Sequence, residues 1–238
     1  MKIYYITGTS RGLGYAIANK LLKDENNIVI GIGRKCEIEH PNYKHKILDL
    51  SDSKETAKFR FAEHVKADES TLINNAGTLG DIKYLGDIDN KTLVEALNVN
   101  LIAPSILTNN FMASYKDQDI KQTVLNISSG AAVNSYDGWS TYCTSKAGVN
   151  MLSETLNLEL QERGKENVRV LSIAPGIIKT SMQEEIRKAD KADFSNVENF
   201  IELNDSNALQ DADETAEKLI DLLNSNTSGP VFRDLRSE

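Results

Sequence analysis

Thr7-Gly8-Thr9-Ser10-Arg11-Gly12-Leu13-Gly14 is the stretch on which the fold turns. Before it, Lys2–Ile6 carries the apolar run of a buried strand. After it, Leu13, Ile17 and Leu21 recur at helical spacing over Leu13–Lys23. Strand, glycine-rich turn and helix, in that order, open a doubly wound α/β fold, and such a turn is where these folds bind pyrophosphate. Glycine lets backbone approach phosphate oxygens, while the helix start offers unpaired N–H groups and a partial positive charge. The expected contacts are Gly8, Ser10, Arg11, Gly12, Leu13 and Gly14. The spacing Gly-x-x-x-Gly-x-Gly is not the commoner Gly-x-Gly-x-x-Gly, so a tight turn with no ligand is the plainer alternative.

Outward from this turn, strand and helix patterns alternate. Strands are expected at Ile28–Ile32, His45–Leu48, Leu72–Asn74, Thr123–Ile127, Val168–Ala174 and Val231–Phe232. Helices are expected at Ser53–Val65, with Ser53 as its cap, and at Lys91–Tyr115, Thr141–Arg163 and Asp213–Leu223. A polar helical region covers Ser181–Asn204. Repeated β-α-β units with apolar strands predict an α/β fold. The expectation is one Rossmann-type domain over residues 1–238, with a mostly parallel seven-stranded sheet and helices on both faces. Cys36–Lys44, with Pro41, is too short and polar for a full helix.

The 238 residues are 40% hydrophobic and 26% charged, enough to bury a core without metals or disulfides. Lys and Arg number 27 against 35 Asp and Glu, a net charge of −8 that disfavours nucleic acid and anionic membranes as partners. Cys36 and Cys143 lie in no metal-binding pattern, and no metal is expected. Two unclustered thiols fit a reducing compartment. The chain enters its first strand at once, which leaves no room for a signal peptide. A cytoplasmic location is expected.

Cofactor choice is argued at the end of the second strand. Dinucleotide folds place an acid about 20 residues past the glycine turn to bind a ribose 2′-hydroxyl. Here Arg34 stands there, after Gly31-Ile32-Gly33. An arginine pairs with a 2′-phosphate, and Arg11 adds a second charge, so NADP(H) is favoured over NAD(H). Two solvated surface arginines are the alternative.

Tyr142 and Lys146, four apart on a predicted helix, share one face. A nearby ammonium stabilises phenolate and lowers a tyrosine pKa from about 10. Ser129 stands at the carboxyl end of the fifth strand, where such sheets form their ligand crevice. Alone, Tyr-x-x-x-Lys is most often a solvated helix face; order and context lend it meaning. A serine hydrolase built on Ser129 is excluded, because His40, His45 and His64 all precede it and the α/β-hydrolase order needs a later histidine.

Taken together, Thr7-Gly8-x-x-x-Gly12-x-Gly14, Asp49-Leu50, Asn74-Asn75-Ala76-Gly77, Asn98-Val99-Asn100, Asn126-Ile127-Ser128-Ser129, Tyr142-x-x-x-Lys146 and Pro175-Gly176-x-x-x-Thr180 resemble the short-chain dehydrogenase/reductase family along nearly the whole chain. The resemblance implies a catalytic tetrad of Asn100, Ser129, Tyr142 and Lys146. Ser129 would polarise a carbonyl, Tyr142 donate the proton, Lys146 bind the nicotinamide ribose, and Asn100 hold a relay water. It also implies Asp49 and Leu50 near adenine and Asn75, Ala76 and Gly77 along the adenosine ribose. Pro175, Gly176, Ile178 and Thr180 would hold the nicotinamide carboxamide. Sheet support for Asn75 and a helix bend for Asn100 stand beside these roles. Homodimers or homotetramers joined through the two long helices are likewise implied.

Tyr136-Asp137-Gly138-Trp139-Ser140-Thr141-Tyr142-Cys143, Ser128–Ala132 and Thr180–Gln183 are similar to sepiapterin reductases and bacterial benzil reductases. This implies a small-molecule carbonyl substrate held by Ser129, Tyr136, Trp139, Tyr142 and Met182. Trp139 packing the helix start is the competing role. The C-terminal aspartate of sepiapterin reductases has Arg233 at its place, with Asp234 one residue later. Residues 181–210 would form a substrate lid, or else a static helix pair. The function expected is NADPH-dependent reduction of a ketone or vicinal dicarbonyl; the alternative is an NADP(H)-binding sensor with little catalysis.

Overall fold

The computed structural model describes residues 1–61, 67–225 and 229–237. Seven strands form one parallel sheet in the order β3-β2-β1-β4-β5-β6-β7. They are β1 (Lys2–Thr7), β2 (Asn27–Gly33), β3 (Tyr43–Ile47), β4 (Glu69–Asn74), β5 (Lys121–Ile127), β6 (Val168–Ala174) and β7 (Phe232–Asp234). The order reverses between β1 and β4, so the crevice at their carboxyl ends is the switch point of the topology.

Side chains alternate across each strand. Ile6, Ile73, Leu125, Leu171 and Ile173 pack on one face beneath α1 (Gly12–Leu21) and α8 (Ala212–Asn224). Ile3, Tyr5, Ile32, Leu72 and Val124 pack on the other, against Leu107, Phe111 and Tyr115. Burial on both faces is why these strands read as continuous apolar runs.

Five expectations need correction. The helix expected at Ser53–Val65 is α2 (Ser53–Lys58), and residues 62–65 of that range lie outside the described residues. Its cap is Asp52, whose carboxylate accepts from the N–H groups of Lys54 and Glu55, rather than Ser53. At Phe59 the chain turns extended, because Phe59 and Phe61 are drawn into an aromatic cluster in which Phe61 lies 4.8 Å from Tyr5 and 5.3 Å from Phe111. The helix expected at Lys91–Tyr115 is α3 (Asn90–Leu97) and α4 (Ala103–Tyr115), joined by a π turn at Asn98–Ile102. That wide turn swings Asn100 inward. The polar helical region resolves into two short helices, α6 (Ser181–Ile186) and α7 (Val197–Asp205). The last strand begins at Phe232 and runs to Asp234. The other long helix, α5 (Ser140–Glu162), is continuous as expected.

Candidate active site

The turn after β1 holds Gly8 at φ +74° and Gly12 at φ +58°, conformations that disfavour a side chain. It is bolted to the end of β4. Thr7 Oγ1 accepts from the N–H groups of Asn75 and Ala76, both at 2.9 Å, and Asn75 Nδ2 donates to Thr7 O at 2.9 Å and Gly8 O at 3.2 Å. The amide nitrogen of Asn75 is therefore spent on the turn, the sheet-support role. A Cβ on Gly14 would run into Asn75 Nδ2 and Gly8 O, so this glycine is a packing requirement.

A cavity of about 740 Å³ runs along the carboxyl ends of the strands. Of the residues singled out above, Gly8, Ser10, Arg11, Gly12, Leu13, Arg34, Asp49, Leu50, Asn75, Ala76 and Gly77 line its β1–β4 end. Ser129, Tyr136, Trp139, Tyr142, Lys146, Pro175, Gly176, Ile178, Thr180 and Met182 line the rest. Gly14 and Asn100 are not brought to it. Asn100 lies one layer behind: Oδ1 accepts from Thr78 N at 2.9 Å, and Nδ2 donates to Thr78 O at 2.7 Å and Ser145 Oγ at 3.2 Å. Ser145 in turn donates to Tyr142 O, so Asn100 braces the turn of α5 that carries the tyrosine.

Tyr142 and Lys146 do share a face of α5, with Nζ 5.7 Å from the ring centroid. Nζ donates to Ile127 O at 2.8 Å, tethering it to the end of β5. Burial pushes the Lys146 amine down to about 8. Burial pushes the Tyr142 phenol up, and a hydrogen bond with the Ser129 hydroxyl pulls it partly back. The expected lowering by a neighbouring ammonium is thus corrected: desolvation by burial sets the direction in the protein alone. Ser129 Oγ accepts from Ala131 N at 3.1 Å, which fixes the hydroxyl at the strand end.

At the β2 end, Asp49 is held below the usual carboxylate range by Ser51, whose N–H and hydroxyl donate to Oδ1 at 3.0 and 2.7 Å; the Arg34 charge adds to this. Lys35 and Glu37 also border this end. The sequence pattern points to neither, although Lys35 adjoins Arg34.

The other end is aromatic. Trp139 stacks on Phe194 at 4.9 Å and 14°, meets Tyr142 edge-on at 5.6 Å, and contacts Tyr136 and Phe200. It therefore does both things weighed for it: it packs the start of α5 and walls the cavity. Phe194 and Phe200 come from residues 181–210, which are also tied down at Asp137. That carboxylate accepts from Ser195 N at 2.8 Å, Ser195 Oγ at 3.0 Å and Tyr84 OH at 3.0 Å. Asp234 does not line the cavity; it forks onto Arg236, which does. Gln183, on α6, also lines the cavity; it falls in the Thr180–Gln183 stretch, whose pattern gives it no role by itself.

The short chain dehydrogenase profile matches residues 2–191. The chain is 37% identical to benzil reductase ((S)-benzoin forming) of Bacillus cereus, over 98% of this chain and 99% of that protein. It is 31% identical to sepiapterin reductase of Mus musculus, over 93% and 91%. Among solved structures, the KRED1-Pglu enzyme superposes with a TM-score of 0.81 at 25% identity, over 98% of this chain and 100% of that one.

Proposed function

Because this chain belongs to the short-chain dehydrogenase family, whose oxidoreductases act on CH–OH and C=O groups with a nicotinamide cofactor, we propose that it is an NADPH-dependent reductase of vicinal dicarbonyls or of ketones like the pterin side chain. The observation that carries this reading is that Ser129, Tyr142 and Lys146 line one cavity at the carboxyl ends of the strands. The glycine turn and the aromatic side chains line the same cavity.

The residues present fit the cofactor. The turn at Gly8–Gly12 leads into α1, and Arg11, Arg34 and Lys35 border the end where a 2′-phosphate would be read. Asn75, Ala76 and Gly77 would line the ribose, and Pro175, Gly176, Ile178 and Thr180 the carboxamide. When bound, NADPH supplies the hydride.

The protein's own part is proton delivery and orientation. Ala131 N–H holds Ser129 Oγ at the strand end, where its hydroxyl would orient the substrate carbonyl. A phenol pushed up by burial keeps its proton at neutral pH, as a general acid must. Once that proton has gone to the carbonyl oxygen, Lys146, held by Ile127 O, is placed to stabilise the phenolate. Asn100 acts as a positioning residue. Residues 181–210 would exclude water as a lid.

Met151, Leu158, Val94 and Ile102 are exposed on α5, α3 and the π turn, and we infer that they are covered in a homodimer or homotetramer. Cys36 and Cys143 are both free thiols, which supports a cytoplasmic site.

The test is NADPH oxidation with benzil, other vicinal diketones, sepiapterin and simple ketones, repeated with NADH. Tyr142→Phe is expected to lose about 10²–10⁴-fold in turnover while NADPH binding persists. Wild-type turnover in that variant refutes the assignment.

A further inference from the structure

Gly31 sits in the middle of β2, where a glycine weakens a strand and often marks the close approach of another group. A Cβ there would stand 2.0 Å from the Tyr43 hydroxyl and 2.5 Å from Thr9 Oγ1. The space it leaves is crossed by a chain of side-chain hydrogen bonds. Thr9 Oγ1 lies 2.8 Å from the Tyr43 hydroxyl, that hydroxyl lies 3.0 Å from His45 Nδ1, and His45 Nε2 lies 3.0 Å from Gly33 O. The last bond orders the others. A carbonyl only accepts, so Nε2 carries the proton, and Nδ1 of the neutral ring accepts from Tyr43. The Tyr43 oxygen then accepts from Thr9. Burial pushes the Tyr43 phenol up, and the bond with Thr9 pulls it partly back, so the phenol keeps the proton it donates.

The two ends of this chain are walls of the cavity. Thr9 belongs to the glycine turn and Gly33 precedes Arg34, and all three line it, whereas Tyr43 and His45 do not. Main-chain bonds join the same walls, from Gly8 N to Ile32 O at 2.9 Å and from Leu48 N to Gly33 O at 3.1 Å. Thr9 and Tyr43 are buried, so water does not replace a bond lost between them. From this we infer that Tyr43 and His45 are positioning residues of the cofactor site: through Thr9 and Gly33 O they fix the spacing between the glycine turn and Arg34, and with it the preference for a cofactor carrying a 2′-phosphate. The inference rests on the cofactor reading above and adds to it two side chains of β3 that touch no ligand. A fork of guanidinium on phosphate depends on geometry. A shift of Arg34 relative to the turn therefore penalises NADP(H) more than NAD(H), which lacks that phosphate.

The experiment is calorimetric titration of the protein with NADP⁺ and with NAD⁺, followed by kinetics with NADPH and benzil. Tyr43→Phe keeps the ring and removes the hydroxyl. Thr9→Val breaks the chain at its other end with little change of shape, and His45→Leu removes the donor to Gly33 O. Each variant is expected to bind NADP⁺ about 3–10-fold more weakly, with a smaller loss for NAD⁺. The double variant of Tyr43→Phe and His45→Leu should lose no more than the worse single one, because the bonds form one unit. The KM for NADPH should rise while kcat at saturating NADPH holds. A lowered Tm with unchanged NADP⁺ affinity, equal losses for the two cofactors, or additive losses in the double variant would overturn the inference and leave the reductase assignment standing. Failure of the wild-type protein to bind either cofactor would instead remove the reading beneath it.

Discussion

The two ends of the cavity solve opposite problems. At the β1–β4 end, polar groups are paired within the protein. Thr7, Asn75 and Ala76 satisfy one another, Asp49 is held by Ser51, and the turn is rigid before any ligand arrives. At the α6–α7 end, Trp139, Phe194 and Phe200 form an aromatic stack. A surface shared by every reaction of a family can be prebuilt from backbone and short polar side chains. The other end is built from large apolar side chains brought together from the start of α5 and from residues 181–210. The lesson is that cofactor and substrate functions should separate under mutation.

After the loss of turnover expected of Tyr142→Phe, the largest effect is expected from Gly14→Ala. The added methyl meets Gly8 O and Asn75 Nδ2, and overpacking of this kind costs about 1–3 kcal/mol. Thermal denaturation should show a fall of several degrees, with NADPH binding lost or weakened in parallel. A variant of unchanged Tm and unchanged NADPH affinity would show that the turn is softer than described.

Next in size is Arg34→Ala. Losing a charge-assisted contact worth about 1.5–3 kcal/mol should raise the KM for NADPH about 10–100-fold, with little change for NADH or for the ketone. Equal effects on both cofactors would remove Arg34 as the reader of the 2′-phosphate.

The pH profile sharpens the comparison, because it concerns the boundary between the ends. Lys146, pushed down to about 8, carries its charge below that pH and loses it above. Stabilisation of the phenolate is therefore present at neutral pH and is lost as pH rises. The kcat/KM for carbonyl reduction should decline through about pH 8. A profile flat across the alkaline range would mean that the ammonium is dispensable.

The smallest effect is expected at Asp137→Ala, which frees Ser195 and Tyr84 at the surface. Exposed bonds of this kind are worth a few tenths to about 1 kcal/mol. The KM for the ketone should rise roughly threefold, with that for NADPH unchanged. A larger change in NADPH affinity would mean that residues 181–210 serve the cofactor end.

Much of the cofactor end was legible because its determinants are local. A glycine turn between strand and helix reports its own geometry, and Tyr142 with Lys146 needs only helical periodicity to share a face. The misses are of another kind. Lys91–Tyr115 has an unbroken helical pattern, and the π turn within it arises from packing, where Asn98 donates to Ser51 O and Leu101 fills the space beside Gly148 of α5. The end of α2 depends on Phe59 and Phe61 finding Phe111, about fifty residues away along the chain.

The amino-acid sequence by itself determined the strand and helix succession, the glycine turn after β1, and the side chains brought to the carboxyl ends of the strands. These follow from backbone stereochemistry and from periodicities of two and 3.6 residues, which act over a few neighbours. Tertiary structure alone decided which groups are desolvated and which polar atoms are left unpaired. Burial raises the phenol of Tyr142 and lowers the amine of Lys146, and both shifts come from residues distant in the chain that exclude water around them.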